Sequence, residues 1–239
     1  MFTIVIIFVF GIIVGLFITS NNAKDIVKDI QSDINDLTKK DIKVVGVDNK
    51  GNGVSAVMSV EVKPGNGLIL VNINNLLADY YSQISARTAA KVAENITKVS
   101  LNNVDLVYNI KANATIVEGP SAGSAMAIAT IAALQNKSID SNIMITGTIE
   151  DDGSINGVGG IVEKAKAAKI AGAKTFIIPK ANYIKDYEQV KSCKNTKNFR
   201  YCEITYLQKS GGLDKELGLH IVEIENINEA IPLMLKWNL

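Results

Sequence analysis

The stretch EGPSAGSAMAIATIAAL, from Glu118 to Leu134, decides how this chain of 239 residues folds. It opens with a turn built on Gly119, Pro120 and Gly123, and it continues as a run of small and aliphatic residues without a single charge. The run is rich in alanine, the residue with the highest intrinsic helix propensity. The stretch therefore predicts an alanine-rich helix that ends at Leu134 and has Ser121 at its start.

Predicted strands alternate with predicted helices on both sides of this stretch. Strands are expected at Ile42–Val47, Val54–Val62, Gly67–Ile73, Val104–Ala112, Asn142–Ile149, Thr175–Ile178 and His220–Ile224, and further helices at Leu76–Ile96, at Ile161–Ala171 and from Ile227. This alternation predicts a two-layer domain of the α/β (α+β) class. The polar stretch from Asp186 to Gly212 interrupts the pattern and is expected to form an inserted loop or small hairpin.

Composition excludes several classes of function. The formal net charge is +1 and only 6% of residues are aromatic, so neither an electrostatic surface nor stacking platforms for nucleic acid are expected. Hydrophobic residues make up 47% of the chain, which is ordinary for a globular domain. We therefore expect no nucleic-acid partner.

The N-terminus predicts a membrane anchor. Residues 3–19 read TIVIIFVFGIIVGLFIT, and no charged side chain precedes Lys24. The run is just long enough to span a bilayer as a helix, and it lacks the basic start of a cleaved signal peptide. We expect residues 1–20 to be a retained single-pass anchor. The side of the membrane is open: basic residues after the span favour a cytoplasmic body, whereas a cysteine pair favours the outside, towards which we lean.

Residues 21–41 are predicted to link the anchor to the body as an amphipathic helix. Val27, Ile30, Ile34 and Leu37 share one face of such a helix, which could pack on the domain or promote self-association. The body then covers residues 42–239.

Cys193 and Cys202 lie in the insertion of this body, where they form either a local disulfide or two unrelated thiols. Without histidine or further cysteine nearby they cannot complete a zinc site, and no metal or cofactor is expected.

Ser121 and Lys164 are the residues that could carry chemistry. A serine at a helix N-terminus lies near free backbone N–H groups that could stabilise an oxyanion, and the glycines beside it allow close approach. The alternative is that Ser121 or Ser124 caps the helix. Lys164 borders the small-residue face of its helix, where loss of hydration lowers an amine's pKa and suits it to act as a base. The alternative is an exposed or salt-bridged lysine.

The order of these motifs resembles the Lon (S16) peptidase domain. The matching segments are Glu118–Gly123, Met144–Gly147, Gly159-Gly160 with Glu163-Lys164, and Thr175–Pro179, over roughly residues 42–182 and 213–235. The resemblance implies the fold of that domain, which is like the second domain of ribosomal protein S5. It also implies a membrane-anchored serine endopeptidase that cleaves unstructured polypeptides with a Ser–Lys dyad.

The resemblance assigns a role to each motif residue. Ser121 falls on the nucleophile, Lys164 on the base and Thr146 on the residue that orients the lysine. Glu118 is the acid before the motif, and Gly119, Pro120, Ala122 and Gly123 form the oxyanion loop. Lon-type domains commonly form hexameric rings, so a homo-oligomer is implied as a partner. The chain departs from the family at Thr148, Val107 and Asn109, where relatives often carry Glu and His.

The sequence also predicts how the activity depends on ATP and leaves alternative functions to be compared. No Gly-x4-Gly-Lys-Ser/Thr loop occurs, since Gly172-Ala-Lys-Thr175 lacks the required glycines, so we expect cleavage without ATP. The competing function is a catalytically silent scaffold on the same fold, which recruits unfolded chains. A small-molecule kinase is disfavoured, because the Gly159-Gly160 and Lys164 element would have no role in it.

Overall fold

The computed structural model describes residues 38–72, 77–78, 80–111, 116–117, 119–180, 187–195, 200–208 and 212–237. The strands are β1 (Thr38–Val47), β2 (Gly53–Pro64), β3 (Ile69–Asn72), β4 (Leu77–Ala78), β5 (Val104–Lys111), β6 (Ile116–Val117), β7 (Ser138–Ile139), β8 (Ile143–Ile145), β9 (Thr148–Ile149), β10 (Ile155–Asn156), β11 (Thr175–Pro179), β12 (Tyr187–Asn195), β13 (Arg200–Gln208), β14 (His220–Ile224) and β15 (Leu235–Lys236). The helices are α1 (Tyr80–Thr97), α2 (Gly123–Leu134), α3 (Ile161–Ile170), α4 (Leu213–Leu217) and α5 (Ile227–Met234), with short 3₁₀ turns at Leu101–Asn103 and Pro120–Ala122.

The first sheet has four strands in the order β1-β2-β5-β3. Its pairs are antiparallel, except that β3 runs parallel to β5. Side chains alternate across the strands, so Met58, Val60 and Val62 of β2 point to the same inner face as Leu106 and Tyr108 of β5, and all are buried. This period of two places the core on one side of the sheet.

Helices α1 and α2 pack on that inner face and against each other. All twelve residues of α2 are buried, which is possible because none of them carries a charge. Its Thr130 hydroxyl donates to the Met126 carbonyl at 2.7 Å, so the Tyr108 hydroxyl, also 2.7 Å from Thr130 Oγ1, must donate to it. A polar group at the centre of the core is satisfied in this way.

The second sheet is parallel, with β11 between β14 and β8. One of its faces contributes Ile145 and Ile177 to the core under α2, and the other contributes Met144 and Phe176 to a separate core under α3 and α4. Helices therefore cover both faces of this sheet, which differs from the predicted two-layer arrangement. Strand β1 lies beside the sheet and also contributes to both cores, through Val44 and Val45.

Most of the predicted elements are present, and the mixed α/β class is confirmed. The polar stretch 186–212 contains the hairpin β12–β13, which pairs residue for residue from Tyr187↔Gln208 to Asn195↔Arg200. Strand β14 and the start of α5, the last helix, match the predicted bounds. That helix begins with a capping box, in which Asn226 accepts from the Asn228 N–H and Glu229 accepts from the Asn226 N–H.

Several boundaries were predicted wrongly. The helix expected from Leu76 begins only at Tyr80, because Leu77–Ala78 form β4 and pair with β6. Strand β1 begins at Thr38 rather than Ile42, because Thr38–Asp41 pair with Ser59–Val62 of β2. The stretch Asn142–Ile149 was expected to be one strand, but it divides into β8 and β9 at Thr146-Gly147.

The predicted anchor at 1–20 and the apolar stripe of Val27, Ile30, Ile34 and Leu37 lie outside the described residues. Within the described ranges, no helix is long and apolar enough to cross a membrane.

Candidate active site

Ser121 lies in the 3₁₀ turn Pro120–Ala122, immediately before α2 begins at Gly123. Its side chain is half-buried. Helix α2 starts with Ala122 in the capping position and has no side-chain cap, so neither Ser121 nor Ser124 plays the capping role that was the structural alternative for these serines. The Ser121 hydroxyl is thus not committed to holding the helix end.

The backbone of Ser121 is held by residues that follow β8. The Thr146 hydroxyl donates to the Ser121 carbonyl at 3.1 Å, and the Gly147 N–H donates to the same carbonyl at 2.9 Å. In return, the Ser124 N–H donates to the Gly147 carbonyl at 3.0 Å. The Thr146 N–H donates to Ile177 in the second sheet, so this joint ties the serine turn to that sheet. The sequence indicated that Thr146-Gly147 belongs to a motif, but it did not predict that these residues bind the Ser121 carbonyl.

The glycines of the turn are required for different reasons. Gly119 has φ +93°, which favours glycine, and a Cβ there would meet nothing within 4 Å. At Gly123 a Cβ would lie 2.8 Å from Ile149 Cγ2, so this glycine lets α2 approach β9. Close approach to a substrate oxyanion, the reason inferred from the sequence for both glycines, is not needed to explain either one.

Free N–H donors at the helix start are fewer than the sequence suggested. The Gly123 N–H already donates to the Pro120 carbonyl, and the Ser124 N–H donates to Gly147. An oxyanion forming at Ser121 would therefore have to use donors earlier in the turn, because these two are occupied.

Ser124 presents an anomaly inside this site. Among buried side-chain oxygens and nitrogens in the described part of the chain, only Ser124 Oγ has no hydrogen-bond partner. Its local acceptors are both taken: Pro120 O receives the Gly123 N–H and Ser85 Oγ at 3.4 Å, and Ser121 O receives Thr146 and Gly147. A carbonyl oxygen has two lone pairs, so neither of these carbonyls has one left for the Ser124 hydroxyl.

Lys164 lies in the second turn of α3, among buried neighbours Ile161, Ala165 and Ala168. Its exposed fraction is 4%, whereas Lys166 on the same helix is exposed. Burial removes water from the ammonium group and lowers the pKa of Lys164 from 10.5 to about 8. The small alanines around it explain how a long side chain fits inside: they leave room beside the second core.

Serine and lysine belong to different layers that meet at β1. The 3₁₀ turn of Ser121 and helix α3 both contact this strand, the turn beside the first core and the helix on the second. At the start of α3, a Cβ at Gly160 would lie 2.6 Å from Val47 Cγ2, which shows how closely the helix approaches the strand. Among the hydrogen bonds of the described residues, none joins the Ser121 hydroxyl to the Lys164 amine. In free enzymes such contacts often form only with substrate bound.

The other predicted site residues are placed as follows. Thr146 is 1% exposed, and its hydroxyl proton goes to Ser121, which leaves its oxygen lone pairs to accept from a lysine. Glu118 lies outside the described residues. Cys193 is disulfide-bonded, and Cys202, the only other cysteine of the chain, is its register partner in the hairpin. No cluster of metal-ligating side chains occurs in the ranges that the structure covers.

Together, a serine on a glycine-flanked turn and a buried lysine amine of lowered pKa are the residue types of a hydrolase with a lysine base. Comparison with known families gives the more specific result. The Lon protease (S16) C-terminal proteolytic domain matches residues 55–206, more than half of the chain. The chain therefore belongs to this family of serine endopeptidase domains.

Individual relatives agree with this assignment. The Lon protease of Clostridium acetobutylicum is 32% identical over 126 residues, which cover 51% of this chain and 16% of the relative. The archaeal Lon protease of Methanocaldococcus jannaschii is 29% identical over 149 residues, 60% of this chain and 23% of the relative. Lon protease 2 of Bacillus subtilis is 29% identical over 197 residues, 70% of this chain and 35% of the relative. The chain thus matches only the smaller part of these proteins.

Proposed function

We propose that this chain is a serine endopeptidase in which Ser121 is the nucleophile and Lys164 is the general base. The observation that carries the proposal is the burial of Lys164, which lowers its pKa to about 8. A lysine of ordinary pKa is almost entirely protonated at neutral pH and cannot accept a proton. With the lowered pKa, about a tenth of the molecules hold a neutral amine at pH 7.

The reaction then needs one proton to move in each direction. The Ser121 hydroxyl gives its proton to Lys164 Nζ while its oxygen bonds to the carbonyl carbon of the substrate. When the tetrahedral intermediate collapses, the Lys164 ammonium returns the proton to the departing amine nitrogen, and the peptide C–N bond breaks. Water then gives a proton to the Lys164 amine while its oxygen bonds to the ester carbonyl carbon. The Lys164 ammonium returns this proton to Ser121 Oγ as the bond between that oxygen and the carbonyl carbon breaks, which releases the acid product and frees Ser121.

Thr146 and Gly147 are assigned a positioning role. Their two hydrogen bonds fix the Ser121 carbonyl, and so fix the backbone from which the Ser121 side chain projects. The lone pairs of Thr146 Oγ1 would accept from the Lys164 ammonium. The family resemblance assigns oxyanion binding to the loop of Gly119, Pro120, Ala122 and Gly123, and a supporting role to Glu118.

A serine-directed covalent probe tests the proposal. Wild type should be labelled, and Ser121→Ala and Lys164→Met should not. Ser141→Ala and Lys166→Met are matched controls, because both replace exposed residues of the same types outside the site. If wild type is not labelled, or if Ser121→Ala is labelled equally, the peptidase proposal fails. A scaffold that binds unfolded chains without cleaving them would then be the better proposal.

We further propose that the substrates are unstructured polypeptides and that cleavage does not depend on ATP. The support is that no phosphate-binding loop occurs in the sequence. Hydrolysis of an unfolded protein by the purified chain should be equal with and without ATP. A strict ATP requirement would refute this part of the proposal while leaving the dyad intact.

Location and assembly are proposed from separate observations. The uncharged run at 3–19 supports a single-pass anchor, and the disulfide at Cys193 supports a body outside the cytoplasm, since disulfides persist in oxidising compartments. Protease added to intact cells should degrade an outside body. Family membership supports a homo-oligomer in the form of a ring, and light scattering on the purified chain would measure its mass.

A further inference from the structure

The outer face of the first sheet carries a polar cleft that the proposed mechanism does not use. The alternation that points Val60 inward points Ser59 and Glu61 of β2 outward, and the ladder places Asn109 of β5 directly opposite Ser59. Asn72 of β3 is the next partner in the same row. The cleft between these side chains has a volume of about 220 Å³. Lysines border it, Lys39 on β1 and Lys111 at the end of β5.

Hydrogen bonds inside the cleft already satisfy its acid. Asn72 Nδ2 donates to Asn109 Oδ1 at 2.7 Å, and Asn109 Nδ2 donates to Glu61 Oε1 at 3.4 Å. Glu61 also lies 3.1 Å from the Lys63 ammonium and 3.7 Å from that of Lys39. The single carboxylate of the lining is therefore balanced from within.

Two donors of the lining remain available. Lys111 forms no ion pair with any residue in the described ranges, and Ser59, 5% exposed, holds its hydroxyl at the base of the row. Asp41, the nearest other acid on this face, is exposed and pairs with Ser59 only through the backbone ladder. The cleft thus presents surplus donors and positive charge, which is the chemistry that recognises a carboxylate.

We propose that this cleft binds the carboxylate of an acidic side chain in the polypeptide substrate, with Lys111 and Ser59 as donors. Its volume is below the roughly 300–1,000 Å³ of sites for drug-sized ligands, so it suits one side chain. Lys111 precedes Ser121 by ten residues, so the two lie at most about 35 Å apart, within reach of an extended peptide. The proposed function enters only by naming polypeptide as the source of the carboxylate.

Binding can be measured without catalysis, in the full chain carrying Ser121→Ala. Two fluorescent peptides that differ only by one Glu or Gln are titrated by anisotropy. A charge-assisted contact predicts about 5–10-fold tighter binding of the Glu peptide, with the difference shrinking in high salt. Adding Lys111→Gln should reduce this preference to less than twofold, whereas Lys50→Gln, an exposed lysine in the β1–β2 turn, should leave it unchanged.

Equal affinity for the two peptides would overturn the inference, as would a preference that survives Lys111→Gln. Free succinate is the second arm: if it binds as tightly as the Glu peptide, the source is a small anion and not a polypeptide. Because the assay needs no hydrolysis, the two proposals fail separately. A wild type that cleaves both peptides without preference refutes the cleft alone, and a preference in a chain that never cleaves refutes the peptidase alone.

Discussion

Replacing Lys164 with methionine should make the protein more stable while it removes the base. The side chain is 4% exposed, and burial lowers its pKa from 10.5 to about 8. The charged amine is therefore less stable in the folded chain than in the unfolded chain. At about 1.4 kcal/mol per tenfold change, the difference at pH 7 amounts to about 3 kcal/mol. Methionine has nearly the same length and no charge, so Lys164→Met should recover about 2–3 kcal/mol.

The size of this stabilisation depends on pH in a defined window. Between about pH 8 and pH 10.5 the unfolded chain binds more protons at this lysine than the folded one does, so wild-type stability rises with pH there. Below about pH 8 both states are mostly protonated, and the full deficit is present. The advantage of Lys164→Met should therefore be largest at neutral pH and should disappear near pH 10.5.

Urea unfolding followed by circular dichroism measures this difference. With a typical slope of about 2–3 kcal/mol per molar, the midpoint should move up by about 1 M at pH 7. Lys166→Met, on the exposed side of α3, should change the midpoint little at any pH. A Lys164→Met variant that is less stable than wild type at neutral pH, or a gain that does not depend on pH, would refute the reasoning.

Three further outcomes are expected. Because only the neutral Lys164 amine accepts a proton, kcat/KM should rise about tenfold per pH unit at low pH and level off above an apparent pKa of about 8; a flat profile would contradict it. Thr146→Val deletes the hydroxyl donor to the Ser121 carbonyl, so kcat should fall by about 10–100-fold, and Thr146→Ser should keep it near the wild-type value; an unchanged kcat in Thr146→Val, or an equal loss in Thr146→Ser, would exclude a positioning role. Thr130→Val strands the buried Tyr108 hydroxyl and should cost about 1–3 kcal/mol in unfolding experiments, more than Tyr108→Phe, after which Thr130 still donates to Met126; the opposite ranking would reverse the assigned proton.

Local sequence patterns were sufficient to predict those elements whose bounds do not depend on pairing with distant parts of the chain. Strand β14 and the start of α5 have the predicted bounds, because an apolar strand ends where Asn226 begins a capping box with Glu229. The burial of Lys164 also follows from sequence, since the alanines of α3 mark the packed side of the helix. These inferences need only one element at a time.

Long-range pairing decided what the sequence could not show. The composition of Thr38–Asp41 is not typical of a strand. The segment is extended because each of its residues pairs with a residue of Ser59–Val62 in β2. The break at Thr146-Gly147 is similar. These residues follow Ser121 by about 25 positions, and their hydrogen-bonding groups go to the serine turn and to Ile177 instead of a continued strand. Gly147 has φ +155°, and a Cβ there would lie 2.3 Å from Ile155 Cγ2.

The same joint determines how the two catalytic candidates can meet. Ser121 precedes α2 on the first core, and Lys164 lies on α3 over the second core, so no single element sets the distance between them. Strand β1 and the Thr146-Gly147 joint are the contacts shared by both sides. A small shift of the second sheet would therefore reach Ser121 through the two hydrogen bonds to its carbonyl. For this reason, substitutions at the joint should lower kcat by more than their cost in stability predicts, whereas substitutions deep in either core should do the reverse.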